Sequence, residues 1–560
     1  MSAPVFSAQL DYDGTRTPLK TTLFLLVCVA WLLPGLVGHE PWKTDEAIVF
    51  GAVYEMLHSG DPVIFRLAGE PYLEKAPLFL WVSGASARLL GSLLSMHDAA
   101  RLASGVFMAA TLGFLSLAGR ELLGERAMRV CVLLFIGCLG LLVRAHEMSS
   151  DLAGLAGLAI GLYGAALAGR RPRAGGVAIG IGMGVAFLGD GFLPLAMLAA
   201  MIAALPVAHP AWRTRAYAST VAIALASAAP LVAIWPAALW AASPGWLTLW
   251  LDVAMTTRWS TSPLASATAD IAYFTRILPW YAWPAWPLAV WTLWRSRRML
   301  AARKGIVLPL VAFAAFLVVL SLFGDARDVN AMPLLLPLAL LGVAELDTLP
   351  RGGASALDWF GMTTFSLFAA MIWVAWFAVM TGHPQGVLRW IQSEVPGYTY
   401  PFRFIPFALA VLLTLIWLVV IARSLRSQRR ALVNWTAGIT MVWMLVMTLG
   451  VPLVDQARSY RTLAAQLVGA LPPGFGCVAS RNLGEPQRAL LDYYVALRSV
   501  RVEFPAASRC KVLLVQAGAQ RSTEPGLAGW HETWRGSRPG DRNESFVLYT
   551  RDEFGVRPRS

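Results

Sequence analysis

Up to about residue 452 the sequence repeats one pattern, an apolar run of about 15 to 24 residues and then a polar break. That is the length a helix needs to cross the roughly 30 Å hydrocarbon core of a bilayer. The runs predict spans at about 20–38, 100–118, 130–143, 152–169, 175–189, 192–207, 217–242, 280–295, 306–323, 331–346, 358–381, 404–422 and 433–452. One more apolar stretch, 76–94, follows a polar segment at 39–75 that interrupts the N-terminal half. Beyond about residue 453 the period changes. Arg458 to Leu471 and Glu485 to Val495 have helical spacing, whereas Cys477–Ser480, Ser499–Phe504, Lys511–Gln516 and Ser545–Thr550 read as short strands. The pattern predicts an all-α polytopic membrane region over 1–452 and a small soluble α/β domain over 453–560.

Composition agrees. The chain is 57% hydrophobic and only 14% charged, against roughly 25% charged in a soluble domain. Its net charge of +13 sits mostly in short loops between apolar runs, a distribution that fits the positive-inside rule better than nucleic-acid binding. That rule decides what 76–94 does. If it crosses, the loops with Arg170, Arg171 and Arg173, with Arg295 to Lys304, and with Arg423 to Arg430 all fall outside. If it lies along or re-enters the outer leaflet, these loops and the one with Arg120, Arg126 and Arg129 become cytoplasmic. The expectation is therefore about thirteen transmembrane helices with a cytoplasmic N-terminus. Residues 39–98 become an outer-face juxtamembrane segment, and the C-terminal domain is periplasmic. Arg16 and Lys20 precede the first run without a small-residue cleavage site, which reads as an uncleaved signal anchor. Cys28, Cys131 and Cys138 lie in apolar runs as packing residues. Cys477 and Cys510 can pair if their region is outside the cytoplasm.

With this topology Asp45, Glu74, Lys75 and Asp151 share the outer face. So do a long loop at 243–279 with Trp246, Trp250, Arg258 and Trp259, and a short one with Asp325, Arg327 and Asp328. The polar segment runs in a fixed order: Asp45-Glu46, then Glu55-Met56, Gly60-Asp61, Arg66-Leu67, and Tyr72 with Glu74-Lys75 and Pro77. Each piece also has a plain reading. Asp45-Glu46 and Asp151 can cap helices. Glu74-Lys75 can be a neutralised interfacial pair, Arg258 can snorkel, and outer-loop Trp and Tyr can be interfacial anchors. His146 and Glu147 suggest two metal ligands, which is weak evidence for a site.

That order of residues over about 40–105, with Arg101 included, resembles the bacterial aminoarabinose transferases of lipid A. These belong to the GT-C glycosyltransferases related to protein O-mannosyltransferases. The likeness continues to Asp151 and to a Gly-x-x-Phe-Leu outline at Gly184 to Ala196. It implies a GT-C-like fold, an undecaprenyl- or other polyprenyl-phosphate sugar donor, and an envelope acceptor, lipid A, met at the outer face of the inner membrane. No cofactor is required by it, and a divalent cation is left open. Within that chemistry a lipid phosphate leaves, so cations are needed where its charge develops. Lys75 is the leading candidate, with Arg66 and Arg258 in support. A carboxylate suits the oxocarbenium-like anomeric centre, and a hydroxyl acceptor needs a base. Asp45 and then Asp151 are the catalytic candidates; Glu46 and Glu74 join the substrate-binding set. Two positions depart from the family. Asp190 stands where a lysine is usual, and Gly324–Pro333 lacks the usual tyrosine and carries acids where bases are expected. Rival readings are the same fold with another sugar or a glycan or protein acceptor, a lipid-linked-sugar flippase, and a non-catalytic scaffold.

Overall fold

The computed structural model describes residues 18–42, 45–257, 272–300, 303–399, 401–423, 429–518, 529–539, 541 and 543–551. The N-terminal half runs α1 (Pro18–Leu32), α2 (Asp45–Ser59), a β1–β2 hairpin (Arg66–Leu67, Glu70–Pro71), α3 (Pro77–Leu90), α4 (Met96–Leu123), α5 (Ala127–Ile136), α6 (Asp151–Ala168), α7 (Pro172–Asp190), α8 (Phe192–Ala208), α9 (Arg215–Ala242) and α10 (Pro244–Asp252). Then follow α11 (Tyr273–Tyr281), α12 (Ala285–Ser296), α13 (Lys304–Phe323), α14 (Met332–Ala344), α15 (Arg351–Thr381), α16 (Gln385–Glu394), α17 (Phe404–Arg423), α18 (Arg430–Leu445), α19 (Val451–Arg458) and α20 (Arg461–Ala470). The chain closes with β3 (Val478–Arg481), α21 (Glu485–Val495), β4 (Ser499–Arg501), β5 (Val512–Gly518), β6 (Trp530–Gly536) and β7 (Glu544–Arg551).

Among the described residues, 8 helices are long and apolar enough to cross a membrane, and shorter apolar helices accompany them. This is a multi-pass membrane protein with a small C-terminal sheet. Burial ranks the helices: 78% of the apolar window of α6 is inside the protein, against 17% for α9 and α15 and 11% for α17. So α6 is the central helix and the other three face lipid. Helix α6 meets α7 through glycines. A Cβ built on Gly157 would lie 2.3 Å from the Ala186 amide nitrogen, and one on Gly182 would lie 2.5 Å from that of Gly161. Without a hydrophobic drive between helices in lipid, such backbone approach is what holds them together.

Helix α3 returns to the face it left. Its N-terminal neighbour Ala76 shares a cavity with Asp151 at the start of α6. Beyond its end, α4 opens with Asp98 and Arg101 bonded to the chain that leaves α1: Gly38 N donates to Asp98 at 3.1 Å, and Arg101 donates to the His39 carbonyl at 3.1 Å. Fourteen residues make a helix of only about 21 Å, short of the roughly 30 Å hydrocarbon core.

Two expected spans are broken instead of continuous. Helix α5 stops at Ile136, and the 280–295 span divides into α11 and α12. The breaks lean on each other. Leu139 N donates to the Trp283 carbonyl at 3.2 Å, and Trp435 Nε1 donates to the Gly137 carbonyl at 2.8 Å. Irregular backbone at this depth persists because protein groups satisfy it.

In the C-terminal sheet the order is β4-β3-β5-β7-β6. Strand β3 runs parallel to β4 and β5, while β7 is antiparallel to β5 and β6. The expected helix at 458–471 is interrupted at Ser459–Tyr460, and β6 was not foreseen. Cys477 and Cys510 form a disulfide that closes 33 residues, while Cys131 and Cys138 are buried in the helical core.

Candidate functional site

The two acids that open α2 point in different directions, because successive residues turn about 100° around a helix. Glu46 is buried at 3% exposure. It accepts from Arg101 Nε at 2.6 Å and from Trp42 N at 3.1 Å. Arg101, fully buried, also donates to Asp98 at 2.8 Å. Burial pushes the Glu46 carboxyl up, but the charges of Arg101 and His39 and its hydrogen bonds outweigh that and hold it below the usual range. Its oxygens therefore serve to pin the start of α2. Asp45 faces the other way and accepts from Arg327 at 2.6 Å.

After α2 the chain makes the β1–β2 hairpin. Its two turn residues, Ala68 and Gly69, both have positive φ, +48° and +86°, as a two-residue type I′ turn demands. Gly69 N donates to the buried Glu55 carboxylate at 2.8 Å, tying the hairpin to α2. Arg66 lies in β1 and does not line the cavity described next. Downstream, Tyr72 Oη donates to Glu74 at 3.3 Å. Burial first, and then the Glu74 carboxylate, push the Tyr72 hydroxyl pKa up. Lys75 follows. Among the described residues it makes no ion pair, so it is not the neutralised partner of Glu74.

Glu74 and Lys75 line a cavity of about 150 Å³ together with Asp151, Asp190, Asp325 and Arg327. Asp151 heads α6 and accepts a hydrogen bond from Ser149 Oγ. Asp190 ends α7, and Gly191, at φ +77°, turns the chain directly into α8. Asp325 and Arg327 come from the loop before α14. That loop is fixed by Arg144, which donates to Glu147 at 2.9 Å and to both Asp328 oxygens at 3.2 Å. The floor is aromatic: Trp250, Phe192, Phe187 and Trp235, with Trp250 stacked on Phe192 at 5.6 Å. Trp250 thus faces the cavity and is not an exposed membrane anchor.

The fold brings Glu74, Lys75 and Asp151 together and adds Asp45 through Arg327. It leaves Glu46 and Arg66 elsewhere, and Arg258 lies outside the described residues. The three residues the sequence reading did not place in the site are Asp190, Asp325 and Arg327, all from the two stretches that depart from the family pattern. The available signal was that departure itself, a polar interruption between two apolar runs. His146 is not a ligand candidate in this fold: its ring nitrogens lie 2.7 Å from the Leu142 carbonyl and 2.8 Å from the Trp31 carbonyl. Among the described residues no group of three or more His, Cys, Asp or Glu is placed to hold a metal ion.

The whole chain is similar in fold to ArnT from Cupriavidus metallidurans. The structure of that protein bound to undecaprenyl phosphate gives a TM-score of 0.67 at 18% identity, covering 95% of this chain and 98% of that one. Its apo structure gives 0.62 at 19% identity with the same coverage. No protein-family model and no curated protein matches the sequence. The chain has the fold of that protein.

Proposed function

We propose that the chain is an integral-membrane glycosyltransferase that moves a sugar from a polyprenyl-phosphate donor to an envelope acceptor, with aminoarabinose and lipid A as the pair the site suits best. The observation that carries this reading is the Lys75 ammonium, which makes no ion pair among the described residues, lining one cavity with Asp151 over an aromatic floor. A donor of this class breaks its bond between the anomeric carbon and the phosphate oxygen, and the lipid phosphate leaves with the electron pair. Lys75 and Arg327 are the cations on hand to take that charge. The phosphate competes with Asp45 for Arg327, so donor binding frees the Asp45 carboxylate. A hydroxyl acceptor gives its proton to Asp45 or Asp151. A phosphate acceptor arrives ionised, and the carboxylates then only orient it. The likeness to a protein solved with undecaprenyl phosphate supports the donor class.

The choice of sugar follows from charge. Among the described residues, four carboxylates, Glu74, Asp151, Asp190 and Asp325, line the cavity with two cations, Lys75 and Arg327, and of the four Asp190 has a further partner. An aminosugar brings an ammonium that offsets this excess. In the cell the cavity faces the periplasm, since the arginine-rich loops lie at the other end of the bundle. Mass spectrometry of lipid A tests the pair. A pentosamine-sized mass should vanish in a deletion strain and return with the wild-type gene, but not with Asp45→Asn or Lys75→Gln. Release of polyprenyl phosphate by the purified protein tests the class separately. If wild type releases none from any polyprenyl-phosphate sugar offered, the transferase reading fails.

A further inference from the structure

The opposite end of the bundle holds a second and larger cavity, of about 730 Å³. It opens where α4 and α6 end and where α7, α9 and α13 begin. Helix α6 runs from Asp151 at the first cavity to Ala168 at this one, so the two are roughly 25 Å apart. Three cations line it, Arg120, Arg170 and Lys304, with two carboxylates, Glu121 and Glu125. One carboxylate, Glu121, holds two of them, Arg170 at 2.7 Å and Arg120 at 3.7 Å. Glu121 is only 6% exposed, while Arg120 and Arg170 keep 36% and 65% of their side chains in the open. A single buried acid between two guanidinium groups positions both and neutralises one. Lys304 makes no ion pair among the described residues and is the first residue of α13, where its charge adds to the positive end of the helix. Leu122, Trp212 and Leu308 give the wall an apolar side, and Thr214 and Tyr217 also line it. Around it, residues 120–129, 169–173, 209–215 and 303–304 carry ten Arg and Lys against two Glu.

Cations over an apolar wall, at the level where several helices end, match the boundary between phosphate and acyl chain in a bilayer. We propose that this cavity binds the phosphodiester headgroup of an anionic membrane phospholipid. Arg120, Arg170 and Lys304 take the phosphate, and Trp212 and Leu308 pack along the glycerol and the first acyl carbons. The site is separate from the transfer chemistry and stands whether or not that chemistry is assigned correctly.

Native mass spectrometry of the full-length, delipidated protein in detergent provides the test, with phosphatidylglycerol, phosphatidylcholine and inorganic phosphate as probes. Wild type should bind phosphatidylglycerol at least tenfold more tightly than the triple variant Arg120→Ala/Arg170→Ala/Lys304→Ala, with phosphatidylcholine weak on both. Lys304→Gln leaves the Glu121 clamp intact, so it should keep the wild-type melting temperature and lose part of the binding. Equal phosphatidylglycerol binding by wild type and Lys304→Gln would overturn the assignment, even if the triple variant failed to fold. Displacement of phosphatidylglycerol by millimolar inorganic phosphate would give the site to a soluble anion instead.

Discussion

Asp45 and Glu46 adjoin in sequence, but their surroundings give them separate parts. Glu46 and Asp98 close on the fully buried Arg101, and removing one member of such a group leaves an uncompensated charge inside the protein. Arg101→Ala should cost about 3–5 kcal/mol. Arg101→Lys should recover little of it, because an ammonium cannot reach two carboxylates and two carbonyls as the guanidinium fork does. Thermal unfolding in detergent measures both, and a lysine variant as stable as wild type would refute the account. The pH dependence follows from the same contacts. The Glu46 pKa lies below its ordinary value of 4.5 in the folded state, so its contribution is full above that value and is lost as pH falls through the folded pKa. Wild type should therefore lose melting temperature below about pH 4.5 more steeply than Glu46→Gln does. Asp45 carries no such burden. Asp45→Asn should leave stability near wild type and lower transfer by about 10²–10⁴-fold, the usual range for a general base.

Helices α6 and α7 deliver Asp151 and Asp190 to one cavity because their backbones nearly touch. A Cβ on Gly182 would meet only backbone, the Gly161 nitrogen at 2.5 Å and the Gly157 oxygen at 2.8 Å. Nothing there is a flexible side-chain end that can move aside. Gly182→Ala should therefore destabilise by about 1–3 kcal/mol as overpacking does, and it should lower transfer by shifting both carboxylates. Gly113, in α4, has nothing within 4 Å of its built Cβ. Gly113→Ala should be neutral or stabilising by up to about 1 kcal/mol. Equal melting temperatures for the two variants would remove the packing argument. The apolar lengths in the sequence revealed these helices. They did not reveal the breaks in α5 and at Ala282–Pro284. Both breaks lie inside apolar runs, and a tertiary hydrogen bond from Leu139 N to the Trp283 carbonyl joins them. Strand β6 escaped for the opposite reason: His531, Glu532 and Thr533 are all exposed on an edge strand, so no alternation marks it.

Across the whole molecule, the site is held by contacts between distant parts of the chain, which is why only half of it could be read from sequence. Glu74, Lys75 and Asp151 belong to local motifs. Arg327 meets Asp45 across 282 residues, and no period or spacing encodes that. The C-terminal domain contributes in the same way. Arg488 of α21, 1% exposed, forms a bidentate pair with Glu70 of the hairpin, at 2.5 Å and 3.0 Å. Arg501 of β4 reaches the same carboxylate at 3.1 Å. Only three residues separate Glu70 from Glu74 along the chain, so the domain fixes the strand that presents Glu74 and Lys75. The cost of misplacing a reacting group by about 1 Å is near 10²-fold in rate. Arg488→Met should thus lower transfer by about that factor although it touches no substrate, and Glu70→Leu should do the same. Glu70→Leu leaves the buried Arg488 charge without its partner, whereas Arg488→Met leaves Glu70 with Arg501, so the double variant Arg488→Met/Glu70→Leu should lose less than the sum of the two. Limited proteolysis supplies the structural readout: either single variant should release the C-terminal domain faster than wild type, and the double variant should resist better than either. Additive losses in transfer, with unchanged proteolysis, would mean that the hairpin holds its position without the domain.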